Sequence, residues 1–499
     1  MTEDARPAPL DIQSAALLGL LSAGGALAFS FVRSKVTAVI LGPDGVGLGA
    51  EIIQIAQTAA VPLALFTGPA LVSSVASRTA RGDEVGVTNV FRSAMTLGSA
   101  LLALLSLGNI AAVMWMLSGR DPHLLVLASL AALAIIAAPL ISTPTQVLTA
   151  RGQLGTVAWL TLTLSATSSL LTVGGTYLGG LRGQFCGIAA AQVLYAYFNL
   201  QAARRRLPSV LLTLRPFIDR EFVIAAVQVG GAGLVAGIFG QGSLLVARWA
   251  LDRHGGSEAN GQFQCAWTLA SVSMGTVLNA LGSFAFPRFA AAKNSEVLDA
   301  ELRGTVRFVA ATAPLVMALG LPVRRIVVHA IFSSRFDPAI EILGIMMATD
   351  VAKAVSWASA GPLLYRGKVA AFVVTESVAA VCLAGGAAIL IPMFGLVGVG
   401  YAYGLSYFVY LPVAALVTAK SCGVRFDVPG IAVGYVVSAL GFAFVHWLTP
   451  YAWAAVALPV VGLVWFLVCG GARSAVLRGL VDRMRAKLTR DRVRRGGTP

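Results

Sequence analysis

Three basic side chains interrupt apolar segments, where charged residues are costly, and they are the first candidates for chemistry. Arg33 and Lys35 lie near one end of the segment 12–40, and Arg248 lies near the corresponding end of the segment 221–250. Cations at matching places could flank one diphosphate, because two fixed cations give multidentate contact with phosphate oxygens. The alternative is that these long side chains snorkel to lipid headgroups. The matching placement favours a phosphate-binding site.

Acidic residues inside other apolar segments form a second set of candidates. Asp350 lies near the middle of the segment 338–364, and Lys353 follows at i+3 on the same helix face. This pair either neutralises itself and fixes helix packing, or supplies a carboxylate that takes a coupling ion or gates a cationic site. Glu376 and Glu51 are further candidates for coupling or gating, and Glu51 also fits an interfacial position.

The composition indicates a membrane protein. The chain has 499 residues, of which 57% are apolar and 12% are charged, whereas soluble domains carry about 25% charged residues. The apolar runs are much longer than the ~10-residue alternating strands of membrane β-barrels. The sequence therefore predicts an all-α polytopic membrane protein. The net charge of +15 does not indicate nucleic-acid binding, because the basic residues lie between the apolar runs and in the C-terminal tail.

Fourteen apolar runs are long enough to cross a bilayer, which takes about 20 helical residues. We expect Arg324, Arg325 and His329, which follow Pro322, to lie in an outer interfacial turn. The fourteen predicted spans are 12–40, 46–77, 87–118, 123–149, 154–180, 184–203, 221–250, 258–289, 304–332, 338–364, 369–393, 395–419, 429–449 and 451–470.

The basic residues of the loops predict the orientation of these spans. Fifteen Lys and Arg residues fall in one set of loops, and four (Arg120, Arg182, Arg253 and Arg335) fall in the other. Because short cytoplasmic loops carry the excess of basic residues, the first set is predicted to be cytoplasmic. An even number of spans then places both termini in the cytoplasm.

An internal repeat appears when the chain is shifted by 214 residues. Gly47 then meets Gly261, and Arg248 falls one place from the Arg33/Lys35 pair. Both halves start on the same side, and transporters built from repeats bind substrate between them. The predicted regions are two six-helix bundles (1–210 and 211–425), an extra transmembrane hairpin (426–471) and a basic amphipathic cytoplasmic tail (472–499). The tail either lies on an anionic membrane surface or fixes the topology.

Motifs of enzymes are absent from the sequence. It contains no Walker A, HExxH or GxSxG motif and no paired cysteines. We therefore expect no enzymatic activity, no catalytic residues, no metal site and no organic cofactor. H⁺ and Na⁺ are the candidate coupling ions.

Four stretches within residues 12–420 resemble bacterial polysaccharide-lipid flippases. The last of them is most similar to the Wzx-type lipid III and O-antigen translocases of the multidrug/oligosaccharidyl-lipid/polysaccharide exporter superfamily. The stretches are KVTAVILGPDGVGLGA, QVLTARGQLGTVAWLTLT, SLLVARWALDRHGGSEANGQFQCAWTLASVSMGTVLNALGSFAFPRFA and SSRFDPAIEILGIMMATDVAKAVSWASAGPLLYRGKVAAFVVTESV.

This resemblance implies two pseudo-symmetric six-helix bundles in a V shape, which work by alternating access around a central cavity. The implied substrate is an undecaprenyl-diphosphate-linked oligosaccharide, such as a repeat unit of O-antigen, of an enterobacterial common antigen-like polymer or of exopolysaccharide. It would move from the cytoplasmic to the periplasmic leaflet of the bacterial inner membrane. A polysaccharide polymerase and a chain-length regulator would be protein partners in lipopolysaccharide biosynthesis. Arg33, Lys35 and Arg248 would hold the diphosphate, and Asp350 and Lys353 match a family Asp/Lys pair.

The spans 429–470 depart from this pattern. Such a pair occurs in the related peptidoglycan-precursor flippases, where it helps to form a lipid groove, so a lipid II flippase is an alternative. A cation-coupled multidrug exporter of the same fold is another alternative, although that function favours an acidic or aromatic cavity. A membrane-bound polymerase or ligase would need a long outer loop with paired catalytic residues, and the outer loops are short.

Overall fold

The computed structural model describes residues 12–116, 118–119, 121–206, 215–449 and 451–469, and these residues are almost entirely helical. The predicted tail, 472–499, lies outside them. Short 3₁₀ or π turns occur at Val61–Leu63, Ala226–Gly230, Ser334–Phe336, Gly395–Val397 and Phe444–Leu448. The α-helices of the described residues are α1 (Ile12–Ala60), α2 (Ala64–Thr67), α3 (Pro69–Ala80), α4 (Glu84–Met116), α5 (Pro122–Ile141), α6 (Thr143–Ala150), α7 (Leu154–Arg206), α8 (Arg220–Ala225), α9 (Gly231–Ala291), α10 (Ser295–Ile331), α11 (Ala339–Tyr365), α12 (Val369–Phe394), α13 (Gly398–Cys422), α14 (Val428–Ala443) and α15 (Ala452–Val468).

The longest apolar stretches are interrupted by glycines with non-helical backbone angles. Gly42 in α1 (φ 66°, ψ −174°) and Gly256 in α9 (φ 67°, ψ −175°) adopt the same conformation. Positive φ is readily accessible to glycine because it has no Cβ. The chain folds back at Gly256, because the side-chain Nδ2 of Asn260 donates a hydrogen bond of 3.0 Å to the carbonyl of Arg248. Gly180 breaks α7 and Gly395 separates α12 from α13 in a similar way.

These breaks account for the fourteen predicted spans. Eight stretches of the described residues are long and apolar enough to cross a membrane, and four of them are 43–59 residues long. Each of these four contains one of the glycine breaks and therefore supplies two spans, which gives twelve. Helix α11, with 27 residues, and the 17-residue apolar helix α15 bring the number to fourteen. The prediction of an all-α polytopic membrane protein is confirmed.

The backbone supports the internal repeat. Three pairs of positive-φ glycines recur at a separation of 214 or 215 residues: Gly42 with Gly256, Gly152 with Gly367, and Gly180 with Gly395. Their φ angles agree within each pair to about two degrees. The shift of 214 residues in the sequence thus corresponds to a repeated set of helix-breaking turns.

The chain forms two compact units. Unit 1 consists of the described residues up to Gln264 together with His329–Phe336, and unit 2 consists of Cys265–Val328 with the described residues from Asp337 onward. The division falls within α9. The predicted bundle ranges 1–210 and 211–425 stay predictions, as do the boundaries of the extra hairpin and the tail.

The extra hairpin, α14 and α15, packs on helices of unit 2. Gly441 lies against Ala348 and Met317, where an added Cβ would come within 2.7 and 2.8 Å of their side chains. On α15, the indole Nε1 of Trp465 donates a hydrogen bond of 2.9 Å to the carbonyl of Ala310. Small residues that allow close approach and a polar bond to the backbone are typical of helix packing in membranes.

Arg324 joins the extra hairpin to α10. Its Nη1 donates to the carbonyl of Leu321 at 2.6 Å, and its Nη2 donates to the hydroxyl of Thr449 at 2.9 Å. The side chain is 6% exposed. The prediction of an outer interfacial turn is therefore wrong for this residue, because α10 continues past Pro322 to Ile331.

Candidate functional site

The most deeply buried of the predicted cations is Arg248, which lies in unit 1. We call Arg248, Glu51, Asn260, Phe263 and Gln264 the Arg248 cluster. The residue is 2% exposed. Its Nη2 donates to the amide oxygen of Gln264, its guanidinium lies 5.1 Å from the centre of the Phe263 ring, and it interacts electrostatically with Glu51.

Two donors of Arg248 remain unused. The described residues offer no hydrogen-bond acceptor to its Nε or its Nη1. A guanidinium group carries five N–H donors in a planar fork that matches a phosphate or a carboxylate. Arg248 is therefore a buried cation with spare donor capacity, which is the chemistry required for an anionic ligand.

Close approach of two helices brings Glu51 towards Arg248. A Cβ added at Gly47 would lie 2.7 Å from the backbone nitrogen of Gly261, and one added at Gly261 would lie 2.6 Å from the carbonyl carbon of Pro43. The hydroxyl of Ser257 donates to the carboxylate of Asp44 beside this crossing. Only glycine fits at the two contact positions, and they are equivalent in the repeat. We call this contact the glycine crossing.

Asn260 links the two charged members of the cluster. Its Nδ2 donates both to the Glu51 carboxylate and to the backbone carbonyl of Arg248. Glu51 is 2% exposed and Asn260 is fully buried. Of the two positions that the sequence leaves open for Glu51, interfacial or gating, the burial favours the gating position.

Arg33 and Lys35 have other partners. The Nη1 of Arg33 lies 3.4 Å from the hydroxyl of Ser168, and the Nζ of Lys35 donates to the carbonyl of His329 at 2.7 Å. Both side chains are partly buried. Arg33 and Arg248 are 215 residues apart, the same separation as two of the glycine pairs. The structure brings Glu51, and neither Arg33 nor Lys35, into the Arg248 cluster, and their shared role in diphosphate binding stays a prediction.

Asp350 and Lys353 meet in a second site, inside unit 2. We call Asp350, Lys353, Glu376, Tyr403, Tyr407 and Tyr410 the tyrosine cluster. The Lys353 Nζ lies 3.9 Å from Oδ1 of Asp350 and donates to the Tyr403 hydroxyl at 3.0 Å. That hydroxyl donates in turn to Oδ1 of Asp350 at 2.6 Å. Asp350 is 1% exposed, and the described residues offer no hydrogen bond to its Oδ2.

Aromatic rings surround the Lys353 ammonium. Its Nζ lies 5.4 Å from the ring centre of Tyr407, 5.5 Å from that of Tyr403, and 6.0 Å from those of Trp267 and Trp357. Cations within about 6 Å of an aromatic face are attracted to it, more strongly where water is excluded. The cage and the carboxylate together hold a lysine charge within the membrane-spanning part of unit 2.

The tyrosines of α13 lead from Asp350 to Glu376. The rings of Tyr403 and Tyr407 lie 4.9 Å apart, and those of Tyr407 and Tyr410 lie 6.2 Å apart. The Tyr410 hydroxyl donates to Oε1 of Glu376. The i, i+4, i+7 spacing places all three rings on one helix face. This spacing is visible in YAYGLSYFVY, but the three tyrosines are not among the site residues predicted from the sequence.

The tyrosine cluster is specific to the second half of the chain. At a separation of 215 residues, Asp350, Lys353 and Glu376 correspond to Ile135, Ala138 and Thr161, which carry no charge. The cluster contains two carboxylates and one ammonium, so one further positive charge would neutralise it. A proton or a monovalent cation could supply that charge.

Where the chain enters the second repeat, its cytoplasmic-side linker is fixed by Arg78. Its Nη1 contacts Asp219 at 2.6 Å and its Nη2 contacts Glu221 at 2.9 Å. Burial raises the pKa of Asp219, but the hydrogen bond and charge of Arg78 and the N–H groups of Phe222 and Glu221 outweigh it, so the pKa lies below its usual value. Among the described residues, no group of three or more His, Cys, Asp or Glu side chains could hold a metal ion.

Comparison with solved structures identifies the architecture. An inward-facing multidrug resistance MATE family transporter of the MOP superfamily superposes with a TM-score of 0.67 and 16% identity, over 86% of this chain and 96% of that one. An outward-facing one superposes with a TM-score of 0.58 and 16% identity, over 85% and 94%. This chain has the MATE transporter fold. No protein-family model matches it, and no curated protein matches it significantly.

A third neighbour shows that this fold accommodates binding pockets of different polarity. It is a MOP superfamily transporter from Pyrococcus furiosus, described as having a binding pocket of reversed polarity that suggests a different function. Its TM-score is 0.58 and its identity 16%, over 85% of this chain and 94% of that one.

Proposed function

We propose that this protein is a flippase, which moves a polyprenyl-diphosphate-linked oligosaccharide across the membrane by alternating access. The carrying observation is Arg248, a buried arginine with two donors that no described residue accepts. The MATE fold, with inward-facing and outward-facing neighbours, supports the transport part of the proposal. Arg33 and Lys35 supply the further cations that a diphosphate would use.

The physical task explains why such a cation is needed. A sugar-diphosphate headgroup cannot cross hydrocarbon unaided, because its charges would lose their hydration. A guanidinium fork replaces water by directed, charge-assisted hydrogen bonds to the phosphate oxygens. The polyprenyl tail can stay in lipid while the headgroup passes. The proposal names undecaprenyl diphosphate as the carrier and an O-antigen, enterobacterial common antigen-like or exopolysaccharide unit as the sugar.

The tyrosine cluster would couple this movement to an ion gradient. Asp350 and Glu376 are the carboxylates that would take H⁺ or Na⁺, and Lys353 would balance one of them. Protonation changes the net charge of a buried cluster, and an ion can shift a conformational equilibrium only if it binds the two conformations differently. We infer that coupling lies in unit 2, while Arg248 and Glu51 act on the substrate in unit 1.

A multidrug exporter is the second candidate, and one observation favours it. Aromatic rings and carboxylates, as in the tyrosine cluster, are what a cationic drug would bind. However, the ammonium of Lys353 already occupies the cage between Trp267, Trp357 and the tyrosines. A second cation there would be repelled. The P. furiosus neighbour of reversed pocket polarity supports the idea that members of this fold differ in substrate charge.

The proposal includes a cellular setting. The excess of basic residues in one set of loops supports a bacterial inner-membrane location with both termini in the cytoplasm. A polysaccharide polymerase and a chain-length regulator would act on the product. A lipid II flippase would use the same diphosphate chemistry and differs in the sugar-peptide part of the headgroup.

The test offers both substrate classes to one preparation. The full-length protein is reconstituted into liposomes that contain a fluorescent undecaprenyl-diphosphate oligosaccharide, and ethidium is supplied to a parallel sample. We expect movement of the lipid between leaflets, measured by quenching with dithionite, and no gradient-driven transport of ethidium. Ethidium transport without lipid movement would support the exporter instead.

A further inference from the structure

Glu51 and Arg248 are paired in a place where a substrate phosphate would have to compete. Both residues are 2% exposed. Glu51 is the carboxylate that acts on the Arg248 charge, and Asn260 ties it to the Arg248 backbone. Burying a lone guanidinium group is strongly unfavourable, so an internal anion is needed whenever no substrate is bound.

The remaining donors show that the pairing is incomplete. Nε and Nη1 of Arg248 have no acceptor among the described residues, although the guanidinium is fully buried. A diphosphate could use these two donors, and it carries more negative charge than a carboxylate. Glu51 and the diphosphate cannot both lie close to one guanidinium group without repelling each other.

We propose that Glu51 is a built-in competitor, an internal carboxylate that displaces the phosphate of the substrate from Arg248 and so drives its release. This inference rests on the proposed function and adds a release step to it. Tight binding of the substrate in every conformation would trap it, and competition by Glu51 avoids that. A conformation in which Glu51 reaches Arg248, as here, then has low affinity for the substrate.

The glycine crossing makes this competition depend on conformation. Glu51 lies one helical turn beyond Gly47, and Asn260 directly precedes Gly261. If the two helices separate at the crossing, the hydrogen bond from Asn260 to Glu51 is lost, and Glu51 moves away from Arg248. Arg248 would then be available to phosphate. The affinity for the substrate thus follows the contact between the two helices.

The experiment measures binding and turnover together. Farnesyl diphosphate serves as the probe and farnesol as its uncharged control, and both are titrated against full-length protein in detergent by calorimetry. In Glu51→Gln the competing charge is removed while the amide keeps the shape. We expect the Kd for farnesyl diphosphate to fall about tenfold, equivalent to about 1.4 kcal/mol. Lipid movement in liposomes should become slower, because release is impaired.

The matched control is Glu341→Gln, the same substitution at a carboxylate of unit 2 whose neighbour is His446 at 3.8 Å. It should leave the Kd unchanged. A double variant, Glu51→Gln with Arg248→Gln, should lose the tenfold gain, because the competitor acts only through Arg248. If Glu51→Gln does not fold, Glu51→Asp keeps the charge but shortens the side chain, and should also lower the Kd, by a smaller factor.

The outcomes separate this inference from the function on which it rests. Wild-type protein that binds farnesyl diphosphate no better than farnesol contradicts the proposed function. Wild-type protein that prefers the diphosphate, with an unchanged or raised Kd in folded Glu51→Gln or Glu51→Asp, leaves the function standing and overturns the competitor role.

Discussion

Replacing Gly47 by alanine should open the glycine crossing and lower the stability of unit 1. The added methyl would lie 2.7 Å from the backbone nitrogen of Gly261 and 2.8 Å from the carbonyl carbon of Ser257. These are backbone atoms, so no flexible side chain can move aside and the helices must separate. Overpacking of this kind costs about 1–3 kcal/mol. Two hydrogen bonds, Ser257 to Asp44 and Asn260 to Glu51, would weaken as well, at about 0.5–1.5 kcal/mol each.

The combined loss is about 2–4 kcal/mol, which corresponds to a fall in melting temperature of roughly 5–10 °C for a unit of this size. Thermal unfolding of the purified protein in detergent, followed by the fluorescence of a thiol-reactive dye on the buried Cys265, measures it. Gly24→Ala is the matched control. It makes the same change in α1, but no atom lies within 4 Å of the added methyl.

The control has an expected sign of its own. Alanine is favoured over glycine in a helix by about 0.8–1.0 kcal/mol, so Gly24→Ala should melt at or slightly above the wild-type temperature. A Gly47→Ala protein that melts like the wild type would refute the close contact of the two helices. It would also remove the basis for the conformational dependence of Glu51.

Three further predictions concern other parts of the chain. Asp219→Asn should lower the melting temperature at pH 7. Since the pKa of Asp219 is lowered by folding, its contribution is present above the unfolded value of about 4 and is lost as the pH falls through the lower folded value, so the difference from wild type should vanish in acid; a difference that persists there would contradict the link to Arg78. Arg324→Ala should release the outer end of the extra hairpin, and faster hydrogen exchange around Thr449 would reveal this; unchanged exchange would mean that the bond to Thr449 contributes little. Asp350→Asn should abolish the dependence of lipid movement on a proton or sodium gradient, and an unaltered gradient response would leave Asp350 with a structural role.

The fold was largely predictable from the sequence because hydrophobic length is a local property. Each span shows itself in about 20 consecutive residues, and glycines such as Gly42 and Gly256 mark the turns between spans. The extent of α10 was not predictable in this way. A run of 19 apolar residues before Pro322 already suffices to cross a bilayer, but the helix continues because Arg324 finds buried partners in the extra hairpin.

The site was predictable only in part, because its pairings are non-local. Arg248 and Asp350 are conspicuous as charges within apolar runs, and both prove to be buried. The partner of Arg248 was not apparent, since Glu51 belongs to the other repeat and reaches it only through the glycine crossing. The tyrosine face of α13 is visible as a spacing, but a spacing does not reveal that Tyr403 and Tyr410 bind two different carboxylates.

The most direct test of the central claim is the rate of movement of the labelled undecaprenyl-diphosphate oligosaccharide in liposomes with wild-type protein, Arg248→Ala and Arg248→Lys. We predict that Arg248→Ala lowers the rate at least tenfold while the melting curve shows a folded protein. Arg248→Lys should retain part of the rate, because it keeps the charge but loses the fork. Movement at the wild-type rate in folded Arg248→Ala would contradict the claim that this arginine holds the diphosphate.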